Sequence, residues 1–143
     1  MKTLAIDTSN QILTVTTADY QTKVATDVSR AARSHSMTLL PAIQQVVAAS
    51  HWQLTDLERI VVADGPGSFT GLRIAVTVAK TLAVTLGIPV MTVSSLATLA
   101  YQADPANHLV VAVMDARNQN VFAGAYHANE QVISDQNIGI DQL

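Results

Sequence analysis

The feature that most constrains the fold is the run Asp64-Gly65-Pro66-Gly67-Ser68-Phe69-Thr70-Gly71-Leu72-Arg73. Ile60-Val61-Val62-Ala63 leads into it, and the apolar segment from Leu72 to Leu86 leads out. An apolar run, a glycine-rich turn and a long apolar segment spell strand, loop and helix start. Gly65, Gly67 and Gly71 remove the Cβ atoms that would hold another backbone at a distance. Pro66 fixes one φ between them. Ser68 or Thr70 offers a hydroxyl to cap the free N–H groups of the helix, and those N–H groups also attract anions. The loop therefore either cradles a phosphate or lets another chain approach closely. Neither common phosphate signature fits. A P-loop requires Lys and Ser or Thr after its last glycine, where Leu72 and Arg73 stand. A dinucleotide fingerprint requires a third glycine at Thr70 and an acid after the next strand, where Ser94 and Ser95 stand.

The rest of the chain supplies the frame for this loop. Thr3 to Ile6, Ile12 to Thr17 and Lys23 to Val28 read as an antiparallel meander. Ser34 to Ser50 has helical spacing, and Pro41 is expected in its opening turn. Thr55 to Glu58 has the spacing of a capping box and predicts one turn. Arg59 to Ala63 is a buried strand, Gly65 to Gly71 the loop, and Leu72 to Leu86 a helix closed by Gly87 and Pro89. Pro89 to Val93 is another strand, and Ser94 or Ser95 caps a helix reaching about Tyr101. Leu109 to Met114 and Val121 to Tyr126 are strands around the turn Asp115-Ala116-Arg117-Asn118. The order is βββαβαβα followed by more strands, and strands that follow helices predict parallel crossovers. The helix from Leu72 is apolar nearly all round. One face must pack on the sheet; the other is either sandwiched within its own domain or covered by another helix.

The chain also repeats itself. Asp115, Asn118 and Gln119 each stand 108 residues after Asp7, Asn10 and Gln11, with apolar strands flanking both turns. A duplicated strand–Asp turn–strand unit divides the chain into residues 1–103 and 104–143. The second part shows strands without helices. It reads as a truncated half with an exposed sheet face or edge, and hence a tendency to associate.

Composition narrows the function classes. Charged residues are 13% of the chain against about 25% in an average domain, while 49% are hydrophobic. Apolar surface is then expected to find a partner, unless Thr, Ser, Gln and Asn make a neutral surface. The net charge is −3 and no basic run exists, which argues against a direct grip on nucleic acid. Without cysteine there is no thiol chemistry. Asp7 comes too early for a signal peptide, and no apolar run in the sequence looks long enough to span a membrane. The expectation is a soluble cytoplasmic protein.

Two parts that each open with an Asp-turn hairpin resemble the actin/Hsp70/sugar-kinase superfamily. The resemblance implies an α/β, actin-like ATPase (ribonuclease H-like) half followed by the opening strands of an incomplete second half. It narrows at Ile6-Asp7-Thr8-Ser9, His35-Ser36 with Leu39-Leu40-Pro41, Gly65 to Arg73, Ile88-Pro89 with Val93-Ser94-Ser95-Leu96, and Asp115-Ala116-Arg117. These are similar to the TsaB (YeaZ) family over essentially the whole chain, although family members carry a longer second half. That family implies a subunit of the bacterial machinery for threonylcarbamoyladenosine in tRNA. Its partners are the catalytic paralogue TsaD and a TsaE-like ATPase, and alone it pairs with itself through the same helical bundle.

The resemblance implies no cofactor for this chain alone, with ATP entering in the full complex. The paralogue's His-x-x-x-His metal pair falls here on Ser95 and Leu99, so no metal and no catalytic residue is expected. The chain reads as a required subunit without activity of its own. The partner surface is placed at His35, Leu39, Ile43, Gly65, Gly67, Ser68, Phe69, Thr70, Gly71, Arg73, Thr77 and Lys80. The alternative is an ATP-dependent kinase or phosphatase, with Asp7, Thr8, Ser9 and Asp115 around a magnesium–nucleotide complex. Arg117 beside Asp115 counts against the magnesium, and Asp7 and Asp115 read first as turn residues that satisfy backbone N–H groups.

Overall fold

The computed structural model describes residues 1–30 and 34–143. They form two compact units: Met1–Asp64 with Ser68–Thr92, and Gly65–Gly67 with Val93–Leu143.

The first unit runs β1 (Lys2–Asp7), β2 (Ile12–Asp19), β3 (Thr22–Arg30), α1 (His35–Ala49), β4 (Arg59–Gly65), α2 (Phe69–Leu86) and β5 (Val90–Ser94). The sheet order is β3-β2-β1-β4-β5. β1 pairs antiparallel with β2 and parallel with β4, so the meander and the crossover through α1 both form as the sequence predicts. Register places Leu4 and Ile6 level with Thr17 and Val15 on one side and with Ile60 and Val62 on the other. Those residues share one face with Leu13, and α1 and α2 cover it together. α1 contributes Leu39, Ala42, Ile43, Val46 and Val47; α2 contributes Ala75, Ala79 and Ala83. Alanine at every fourth position lets α2 lie close to the strands, because no long side chain holds it off.

Local chemistry sets the boundaries, and it corrects three expectations. Ser34 caps α1 by accepting from the Met37 N–H at 3.3 Å. The helix thus opens at His35, and Pro41 falls in its second turn instead of its first. The carbonyl that loses its donor there belongs to exposed Met37, where water can satisfy it. The turn before β4 is a 3-10 helix at Leu54–Asp56. Its box sits two residues earlier than Thr55 to Glu58: the Asp56 carboxylate accepts from the Gln53 N–H at 2.8 Å. Ser68 caps α2 at Phe69, so the loop ends at Ser68 and Gly71 lies inside the helix. Gly87, at φ +66°, closes α2 in the left-handed region.

The second unit holds α3 (Ser95–Gln102) and a meander of β6 (Val110–Arg117), β7 (Asn120–His127) and β8 (Glu130–Gly139). α3 covers one face of that sheet, with Leu96 and Ala100 against Ala112 and Tyr126. The opposite face keeps Val111, Val113 and Ile133 exposed. β8 was not delimited by the sequence, because Ser134-Asp135-Gln136-Asn137 breaks any apolar alternation. What holds it is polar. Asp135 accepts from the Tyr126 hydroxyl at 2.6 Å, from Gln131 Nε2 at 2.7 Å and from the Ser94 hydroxyl.

Burial first, and then the Asp135 carboxylate, raise the Tyr126 phenol above its ordinary 10.0. The folded state therefore retains the phenolic proton to higher pH than the unfolded chain does. That stabilisation is complete below pH 10 and is lost as pH rises through the folded pKa. Urea unfolding from pH 8 to 11.5 is expected to show a steeper alkaline decline for the native chain than for Tyr126→Phe.

Candidate functional site

The Asp turn after β1 is bound to the start of α2. Thr8 and Ser9 are buried. The Thr8 hydroxyl donates to the Gly71 carbonyl at 2.6 Å. The Ser68 N–H donates to the Ser9 carbonyl at 2.7 Å, and the Ser68 hydroxyl accepts from the Gly71 N–H at 3.2 Å. A Cβ on Gly71 would stand 2.1 Å from the Thr8 carbonyl oxygen. Of the two chemistries the glycines allow, close backbone approach is thus realised within the chain, at Gly71 against Thr8. Gly65, at φ +130°, supplies the positive φ that turns the chain out of β4.

This packing bears on the nucleotide reading. Asp7 Oδ1 accepts from the Ser9 N–H at 2.8 Å, and Asp115 Oδ1 accepts from the Arg117 N–H at 2.7 Å. The same carboxylate-to-amide bond recurs at the repeat spacing, in one unit and then in the other. The Thr8 hydroxyl and the Ser9 amide both have partners within the chain. Among the described residues, no group of three His, Asp or Glu lies close enough to hold a metal ion.

The residues expected at a partner surface divide by burial. Leu39 and Ile43 lie in the core beneath α1, because the helical period that makes α1 amphipathic turns them toward the sheet. His35 is half-buried and tied down: its Nε2 donates to the Asn10 carbonyl at 3.0 Å. Gly71 is buried, and Gly65 and Gly67 are half-buried in the loop. Ser68, Phe69, Thr70, Arg73, Thr77 and Lys80 are exposed. Phe69, Arg73, Thr77, Lys80 and Val84 form one stripe at i+4 and i+3 spacing. Phe69 is 73% exposed and Val84 84%. Arg73 stacks on the Phe69 ring at 5.3 Å. The Thr81 and Thr85 hydroxyls donate to carbonyls of their own helix at 2.8 Å. On α1, Met37 and Leu40 are also exposed. Val84 and Met37 were not singled out from the sequence, and Leu40 was not placed at the partner surface. Val84 was legible as the residue seven beyond Thr77.

By length and hydropathy α2 could cross a membrane: 18 residues with a mean hydropathy of 1.4. Its alanine stripe instead packs on a sheet, and Arg73 and Lys80 stand on its outer side.

Residues 26–140 match the family model described as TsaD, tRNA N6-adenosine threonylcarbamoyltransferase. A Pseudomonas aeruginosa crystal structure, of a protein described as similar to peptidase YeaZ, superposes with a TM-score of 0.91 at 30% identity. That match covers 99% of this chain and 68% of the other. The Bacillus subtilis tRNA threonylcarbamoyladenosine biosynthesis protein TsaB is 42% identical over 142 residues, which are 96% of this chain. The chain belongs to the TsaB (YeaZ) family. It spans 62% of the length of the TsaB relative from Bacillus subtilis. A component of the (R)-2-hydroxyglutaryl-CoA dehydratase of Acidaminococcus fermentans superposes with a TM-score of 0.59 at 15% identity, a likeness of fold alone. The fold is that of the actin-like superfamily. In this TsaB-family chain Ser95 is buried and Leu99 partly exposed.

Proposed function

We propose that this chain is a non-catalytic docking subunit in the synthesis of threonylcarbamoyladenosine in tRNA. It seats a TsaD-type catalytic paralogue on the outer faces of α1 and α2. The observation that carries this reading is the stripe from Phe69 to Val84 on a helix of 18 residues of which only four are buried. An uncovered helix of this kind is a mating surface in need of about 800 Å² on each partner. The buried Thr8–Gly71 contact holds that helix rigidly on the sheet, so the surface is preformed. The chain brings no cofactor; ATP enters with a TsaE-like ATPase in the cytoplasmic complex. Contact with tRNA falls to the other subunits, since the net charge is −3 and the sequence has no basic run. Without its partner the chain pairs with itself through the same helices.

Calorimetry tests the reading. Titration with the TsaD-type paralogue from the same genome is expected to give saturable heat, and titration with ATP and magnesium none at micromolar concentrations. Micromolar ATP binding by the chain alone, with no response to the paralogue, replaces docking by the kinase or phosphatase reading.

A further inference from the structure

Resting on that docking reading, we propose that the α1–α2 surface selects a partner helix bearing carboxylates and discriminates against a second copy of this chain. The reason is charge placement. α1 contains no charged residue, and α2 contains only Arg73 and Lys80, in a chain whose net charge is −3. Both cations are exposed, and among the described residues neither forms an ion pair. Seven positions separate them, which is about 10 Å along the axis and nearly two whole turns. They therefore stand on one stripe, with Thr77 between them. The Phe69 ring under the Arg73 guanidinium narrows where that charge can sit. The nearest acid in the sequence, Asp64, lies outside the helix, before the glycine loop.

Two-fold pairing of identical chains sets the same patch against itself. Here it brings two cations of one copy toward two of the other, with no carboxylate in either helix layer to answer them. A partner that presents two carboxylates about one heptad apart on an otherwise apolar helix answers both. Specificity then comes from repulsion in the wrong pair as well as attraction in the right one. The two assemblies respond oppositely to salt: screening weakens the mixed pair and relieves the self pair.

The test uses sedimentation velocity for self-association and calorimetry with the TsaD-type paralogue, at about 50 and about 500 mM NaCl. Wild type is expected to bind the paralogue at least about fivefold more weakly in high salt, and to self-associate more strongly. Arg73→Gln with Lys80→Gln is expected to weaken the mixed pair and strengthen the self pair. Arg73→Glu with Lys80→Glu is expected to weaken the mixed pair at least about tenfold. The thermal midpoints of both variants should match wild type, because both positions are solvent-facing. If wild type binds the paralogue with an affinity indifferent to salt and to both double substitutions, the carboxylate proposal is overturned and docking stands. If the glutamine pair self-associates no more than wild type, discrimination against a second copy is overturned. If wild type ignores the paralogue at both salts, the docking reading falls, and this one with it.

Discussion

Thr77→Arg is expected to lower the affinity for the TsaD-type paralogue by at least about a hundredfold while leaving the thermal midpoint nearly unchanged. Thr77 lies midway along the exposed stripe of α2, between Arg73 and Lys80. A long cation at the centre of a closely packed interface does three things at once. It holds the helices apart, it loses water without gaining a partner, and it adds a third positive charge between two others. On the free chain the same side chain reaches solvent, where surface substitutions cost about half a kcal/mol or less. Co-purification read beside a melting curve separates the effects. Lost binding with an unchanged midpoint places Thr77 in the interface; unchanged binding removes α2 from it.

Gly71→Ala is expected to destabilise the first unit by about 3 kcal/mol or more, read as a lower urea midpoint and a Tm lower by about 10 °C. Helix propensity alone predicts the opposite sign, since alanine is favoured over glycine inside a helix by about 1 kcal/mol. The structure reverses the sign because the new Cβ meets a backbone oxygen, that of Thr8, at 2.1 Å. A flexible side chain could turn away; the Asp-turn backbone cannot. Its relief breaks the buried bond from the Thr8 hydroxyl to the Gly71 carbonyl. Equal or raised stability in the alanine variant would show that α2 sits farther from the turn than the structure places it.

These two positions also show what the sequence could and could not tell. The strand–loop–helix around Gly65 to Arg73 was legible because strand and helix periods meet at a glycine-rich break, and the helix stop at Gly87 followed from the same chemistry. The glycines said that something comes close, and left open whether it was a phosphate, another chain or the chain itself. At Gly71 it is the chain itself, and only the fold brings Thr8 there, 63 residues earlier in sequence. Leu39 and Ile43 are placed at the partner surface in the sequence reading, although they share with Val46 and Val47 the helical period that marks the buried face. With Ser34 as the cap and α1 opening at His35, the period turns them inward and leaves Met37 and Leu40 outside. β8 was the least legible element, since a carboxylate pinned by Tyr126, Gln131 and Ser94 anchors it in place of an apolar row.

Hydrogen–deuterium exchange of the whole chain, with and without the TsaD-type paralogue, tests the docking face most directly. Slowed exchange is expected across Phe69–Leu86 and the exposed turns of α1, with β6, β7 and β8 unchanged. Protection confined to the β6–β8 sheet, with α2 exchanging as it does alone, would contradict docking on that face.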